Sequence, residues 1–533
     1  MKRYLASAGL EDRIEPARLA DRYHPFTGLA FVILFTGALC LPLLNLVSWL
    51  GDEGVVLRGA AELVRGHRIY ADFFTFDPPA DDLMVAGWLK LFGPSFVGVR
   101  LLAMLLIIGI TSFSYLACLE ASGSAVLAAF LAVAWLATCP GAWVVVISHH
   151  WLADIFSMAA CWLSLRAVSR RHDATEFATL AGLCAGSAAM AVSSSGLYTI
   201  FASLGALFRL RGGHKPFLGC LAGCLVAPVL SLAYIVLNGE FIPAYQDIVQ
   251  FTLNNYAAVQ KVPFGYGERW YYPQLYLFPL AFGLVFLAWL LDANRRASFR
   301  LFLAVVLFAL AGLASTYPGP GRIHIAVAGP FALPALAYGI TRVTANWRPA
   351  ARRTTLALAA AWTLASAASF VNQAFIAMRA PVVATAVGSV HMPVNGGQNE
   401  NSEIFGFLAS RPADEKFFFY PYMPLMPYLA AREQTSRYDI FIPNYVTAAQ
   451  YFETCKAVTS SAQWLVLDRA HMTPAAWQAG FPAMKNPAPP ETQAFEQTIE
   501  QNFPLERVVG HFEIRRRTNA TGSSGCDKIL LHS

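Results

Sequence analysis

The chain alternates long apolar blocks with short polar connections, and the blocks recur far too often for one soluble core. Runs such as 26–50, 101–118 and 301–314 approach the roughly 20 residues that cross a bilayer as a helix. The pattern predicts about eleven spans, near 27–50, 96–118, 124–139, 149–168, 177–193, 196–210, 216–237, 273–291, 300–316, 323–341 and 354–374. A single core stops growing well before ten such blocks are buried, which excludes a large soluble helical protein. The first apolar run is too long for a signal-peptide core and no small-residue cleavage site follows, so an uncleaved first span is expected. The expected class is mainly α, a polytopic membrane helical bundle. Beyond the last block the pattern changes to polar, Pro-rich sequence with strand-like runs at 416–419 and 464–467. The expected organisation is an N-terminal segment 1–26, a membrane domain 27–379 with a long first outer loop 51–95, and a small α/β domain 380–533.

Composition agrees. Of 533 residues 56% are hydrophobic and 14% charged, against about a quarter charged in soluble proteins. The net charge of +6 is spread over alternate connections, where it sets orientation. Lys2, Arg3, Arg13, Arg18 and Arg22 precede the first span. Later clusters are Arg166, Arg170 and Arg171, then Arg209, Arg211 and Lys215, then Arg295, Arg296 and Arg300, then Arg342, Arg348, Arg352 and Arg353. The turn 119–123 has neither Lys nor Arg. This places the N-terminus in the cytoplasm and, with an odd span count, the tail outside a cell inner membrane. No basic patch interleaved with aromatics is present, which argues against nucleic acid. Seven of the nine cysteines lie in or beside apolar blocks as small core residues. Cys455 and Cys526 lie in the tail and could pair in an oxidising compartment.

The first outer loop carries the densest chemistry. Asp52 and Glu53 follow the first apolar run directly. From 54 to 65, Val56, Ala60, Leu63 and Val64 share one helical face and Arg58, Glu62 and Arg65 the other. That is the signature of a helix lying in the interface plane. Tyr70-Ala71-Asp72-Phe73-Phe74 and Asp77-Pro78-Pro79 follow, and Asp81-Asp82 opens a second short helix ending at Gly93-Pro94. A carboxylate beneath a surface helix bearing arginines can deprotonate a hydroxyl while cations hold a departing phosphate. Asp52 can equally serve as the cap of the following helix.

Taken in order, Asp52-Glu53-Gly54, the amphipathic helix, Tyr70–Phe74, Asp77-Pro78-Pro79 and Leu89-Lys90-Leu91-Phe92-Gly93 resemble the first outer loop of GT-C glycosyltransferases. The likeness is to the protein O-mannosyltransferase-like branch, which includes the bacterial lipid A aminoarabinose and galacturonic acid transferases. It implies a GT-C-like fold and an inverting transferase. The donor would be a polyprenyl-phosphate sugar and the acceptor an envelope lipid, glycan or protein. It also implies membrane lipids as surroundings, and no cofactor or catalytic metal. Its catalytic carboxylate maps to Asp52, with Glu53 beside it. Family members often carry Lys or His before the Pro-Pro pair, where Asp77 stands, and Lys in the stretch read here as Ala191-Val192-Ser193-Ser194-Ser195-Gly196.

Further candidates lie at outer helix ends. His150 and Asp154 are four apart, on one face of the fourth span. Two ligands are too few for a metal, so they are expected to line a pocket or cap the helix. Arg58, Arg322 and His324 are the expected phosphate-binding residues, though Arg322 could instead snorkel to head groups. Tyr70, Asp72, Asp77, Glu268 and Arg269 are expected to line the pocket. The aromatics between 254 and 272 suit a membrane interface or a sugar-stacking surface. Phosphate-binding Gly loops, serine elbows and paired CxxC motifs are absent. A polytopic transporter would show matching broken helices in two halves, and a non-catalytic scaffold would not need the loop carboxylates.

Overall fold

The computed structural model describes residues 25–47, 51–139, 141–169, 173–208, 214–267, 272–293, 295–345, 347–393, 400–517 and 525–530. Among these, seven helices are long and apolar enough to cross a membrane: Pro25–Leu43, Phe96–Ser122, His149–Ser169, Lys215–Leu237, Pro273–Leu291, Arg295–Ser315 and Arg322–Val343. The other four expected segments are helical too, as Ala125–Thr138, Ala174–Ala189, Ser193–Leu207 and Pro349–Arg379. The first three have 14, 16 and 15 residues. At 1.5 Å per residue they reach only about 21–24 Å, short of a ~30 Å hydrocarbon layer. Among the described residues, length and composition thus support seven spans where the apolar pattern suggested about eleven; the three shortest helices fall below spanning length, and Pro349–Arg379, with 31 residues, does not.

Helix ends follow the local chemistry. Ser95 accepts from the Gly98 amide at 3.2 Å and Ser124 from the Leu127 amide at 3.3 Å, so each caps a helix. Between them Gly123 turns the chain at φ 71°. Buried polar contacts then lock the bundle. Trp135 Nε1 donates to the Ala326 carbonyl at 2.8 Å, and Tyr272 Oη to the Thr138 carbonyl at 3.2 Å. A dry interior makes such satisfied donors necessary, and the first of them ties the helix that begins at Arg322 to Ala125–Thr138.

After Arg379 the chain forms a small mixed-sheet region. A hairpin of β1 (Val382–Thr385) and β2 (Gly388–His391) joins the end of the first helix, where His391 donates its amide to Asn45 at 2.8 Å. A four-stranded sheet follows in the order β3 (Phe417–Tyr420), β4 (Trp464–Asp468), β6 (Phe512–Arg516), β5 (Leu505–Val509). β3 runs parallel to β4, and the other pairs are antiparallel, with Trp464 opposite both Phe417 and Arg516. β3 and β4 are buried throughout, and apolar up to Asp468 at the end of β4, as a covered strand requires. Cys455 and Cys526 form a disulfide.

Candidate functional site

The loop helix spans Gly51–Arg65, three residues longer at its start than the sequence pattern suggested. Asp52 is therefore its second residue and not its cap. Most of the helix's polar face does not meet water, and of its three charged residues only Arg65 stays exposed. Arg58 is 3% exposed, pairs with Asp439 at 3.0 Å and donates to the Ser436 carbonyl at 2.9 Å. This corrects the expectation that Arg58 reaches a phosphate, since its guanidinium is spent on the tail. Glu62 is held by Arg65 and His67. The tail covers this face closely because the helix offers glycines there. A Cβ on Gly51 would lie 1.4 Å from Tyr422 Oη, and one on Gly54 2.2 Å from the Leu425 amide. Arg437 adds a second tie to Asp247 at 2.8 Å.

Glu53 turns the other way. It is fully buried against Arg100 of the Phe96–Ser122 helix, with Arg100 Nε 2.5 Å from Oε1 and Nη2 donating to Oε2 at 2.6 Å. The Nε approach is close but poorly aligned, and Arg100 Nη1 has no hydrogen-bond partner. The sequence reading of Glu53 as a reacting carboxylate is thus corrected by its place in a sealed ion pair.

A cavity of about 350 Å³ opens beside the first loop, walled by Asp77, His149, His150, Ser193–Ser195, Tyr256, Tyr317 and His324 among others. Three imidazoles line up along it, with ring centroids 4.2 Å apart for His149–His150 and 5.4 Å for His150–His324. Asp52 lies within electrostatic reach of Asp77, His324, Tyr256, Tyr422 and Tyr445. The tail's Tyr445 stacks beside Tyr256 at 5.8 Å, and Phe76 beside Tyr256 at 5.2 Å.

Tyr70 holds this loop together. It sits at φ 63°, a left-handed backbone unusual for a bulky residue, fully buried, and donates to the Asp77 carbonyl at 2.9 Å. Burial, with help from Asp82 and Asp77, pushes its phenol well up, so it stays a donor. Burial likewise raises Asp77, opposed by His149 and reinforced by Asp52. Asp81 and Asp82 are pushed further by burial and by Asp77. Four carboxylates, Asp52, Asp77, Asp81 and Asp82, thus crowd one end of the loop.

The remaining expected residues divide. His150 and His324 line the cavity. Asp72 does not, because it forms an exposed ion pair with Arg68 at 3.3 Å. Asp154 is buried in its helix with Oδ2 unpartnered and outside the cavity wall. Arg322 is exposed, packs its guanidinium 4.7 Å over the Tyr272 ring and stands beside the wall rather than in it. Glu268 and Arg269 lie outside the described residues. The sequence reading missed His149 and the tail tyrosines Tyr422 and Tyr445. His149 was visible beside His150, but nothing local marks residues some 370 positions downstream as neighbours of Asp52.

No protein-family model and no curated protein matches the sequence. Solved structures do. ArnT from Cupriavidus metallidurans bound to undecaprenyl phosphate matches at TM-score 0.56 and 14% identity, over 93% of this chain and 98% of that one. Its apo state gives 0.53 and 14%, over 92% and 97%. Archaeal oligosaccharyltransferase AglB from Archaeoglobus fulgidus, in complex with an inhibitory peptide and a dolichol-phosphate, gives 0.55 and 11%, over 94% and 75%. This chain has a GT-C-like fold. At such identities the likeness is one of fold, and it extends across the mixed-sheet region as well as the helices.

Proposed function

We propose that the protein is an inverting glycosyltransferase that takes a sugar from a polyprenyl-phosphate carrier at the outer face of the inner membrane. The observation that carries this is the position of Asp52, within electrostatic reach of Asp77, Tyr256 and His324, which line the cavity. The fold likeness to a protein holding undecaprenyl phosphate supports it. In the proposed reaction an acceptor hydroxyl gives its proton to Asp52 as its oxygen attacks the anomeric carbon. The bond from that carbon to the phosphate oxygen breaks, and the carrier phosphate leaves with the electron pair. His324 and Arg322 supply positive charge or hydrogen bonds to that phosphate. The amides opening the Ser193–Leu207 helix point the same way, as helix N-termini favour anions. Asp77 and His150 shape the pocket. The acceptor is a lipid, glycan or protein of the envelope.

The test is a mass comparison of envelope glycolipids and glycans from cells with and without the protein. One sugar modification is expected to vanish in its absence. An unchanged profile, together with no transfer by purified protein offered lipid-phosphate sugars, would leave the scaffold or transporter reading in its place.

The same proposal fixes topology. Seven candidate spans, like the eleven expected, make an odd number, so with the N-terminus inside, residues 380–533 would lie outside. A reporter active only in the cytoplasm, fused after residue 533, is expected to stay silent. A strong cytoplasmic signal would overturn this orientation.

A further inference from the structure

The likeness to the mannosyltransferase-like branch implies no metal, with Asp77 expected to line the pocket and Asp81 to open a helix. Their geometry leads elsewhere. Asp77 stands just before Pro78-Pro79, Asp81 in the first turn of the Ala80–Phe92 helix, and His149 at the start of the His149–Ser169 helix. One ligand atom from each lies within 4.8 Å of the other two. Three ligands of one ion sit about 3.6–3.8 Å apart at bond lengths near 2.2 Å, so an inward shift of each atom by up to about 0.6 Å brings the three together. We propose that Asp77, Asp81 and His149 bind one divalent transition-metal cation, Mn²⁺ or Zn²⁺, at the cavity wall.

A second observation points to a ligand. Asp81 is only 3% exposed, yet its Oδ1 has no hydrogen-bond partner. A buried carboxylate oxygen left unsatisfied is costly, and a cation in this position satisfies it. The one opposite charge at hand does not. His149 Nδ1 is 3.4 Å from Asp77 Oδ2 and makes no hydrogen bond, and at best it neutralises one of two carboxylates while Asp82 adds a third nearby. Two carboxylates with one imidazole suit Mn²⁺ or Zn²⁺. Mg²⁺ keeps its waters and seldom takes imidazole. Three protein ligands leave open positions, and Asp77 and His149 both face the cavity. Among the described residues of that wall none is Lys or Arg. A cation here would provide the positive charge that the family draws from the lysines this chain lacks. That role rests on the transferase reading. The binding itself does not.

The experiment therefore reads metal, not transfer. The full chain in lipid nanodiscs is stripped with chelator and titrated with Mn²⁺, and bound ion is measured by loss of the free Mn²⁺ electron paramagnetic resonance signal. One saturable equivalent is expected, displaced by Zn²⁺. Asp81→Asn and His149→Gln are each expected to weaken binding by about tenfold or more. Glu240→Gln, which alters a buried carboxylate elsewhere in the outer loops, is expected to leave it unchanged. Wild-type protein that takes up no Mn²⁺ above empty nanodiscs overturns the site, whatever the variants do. Equal binding in wild type, Asp81→Asn and His149→Gln overturns it as well. Either result leaves the transferase reading standing, and loss of transfer alone leaves the metal site standing.

Discussion

Asp52→Asn is expected to lower sugar transfer by about 10²–10⁴-fold, the usual worth of a positioned general base. The substitution keeps the shape of the side chain and most of its hydrogen bonding, and removes only its capacity to take a proton. A structural role predicts a different result. Asp52 is the second residue of the Gly51–Arg65 helix, where its charge favours the helix dipole by about 0.3–1 kcal/mol. Losing that costs a little stability and no chemistry. The assay is transfer by purified protein in lipid, normalised to folded protein. Full transfer by Asp52→Asn would remove Asp52 from the chemistry even in a proven transferase.

Much of the fold was legible because local rules govern it. All eleven apolar blocks became helices. Asp81-Asp82 and Gly93 bounded the second loop helix, Ala80–Phe92, and Gly93 adopts φ 79°. The strand-like runs at 416 and 464 fell on β3 and β4. What escaped depends on distant partners. Arg58 reads as a solvated charge on an amphipathic face until Asp439, 381 positions away, is folded over it. Glu53 reads as the twin of Asp52 because they are adjacent. A helix turns 100° per residue, so adjacent carboxylates meet different surroundings, one within reach of the cavity residues Asp77 and His324 and one against Arg100. Span number is supported for seven of the eleven segments for a related reason, since hydrophobicity reports burial without saying whether lipid or protein provides it.

The separation of Asp52 from Glu53 yields the second large effect, one of stability. Arg100→Ala leaves Glu53 at 0% exposure without its partner, and breaking a buried pair from one side costs about 3–5 kcal/mol. The loss should depend on pH. Burial raises Glu53 above the usual carboxylate range while Arg100 pulls it down, so removing Arg100 raises it further. The folded variant then holds a proton that the unfolded chain releases, and stability falls as pH rises from the ordinary glutamate range towards the raised value. Arg100→Ala should accordingly be closer to wild type at pH 5 than at pH 8, measured as retained folded protein in denaturant titrations in detergent. Glu53→Gln tests the same pair from the other side. It leaves Arg100 charged and buried, so it also destabilises, but the molecules that remain folded should transfer sugar at nearly the wild-type rate. If Arg100→Ala proves as stable as wild type at pH 8, or if folded Glu53→Gln loses transfer as deeply as Asp52→Asn, then Glu53 belongs to the chemistry and the division of labour between the two carboxylates fails.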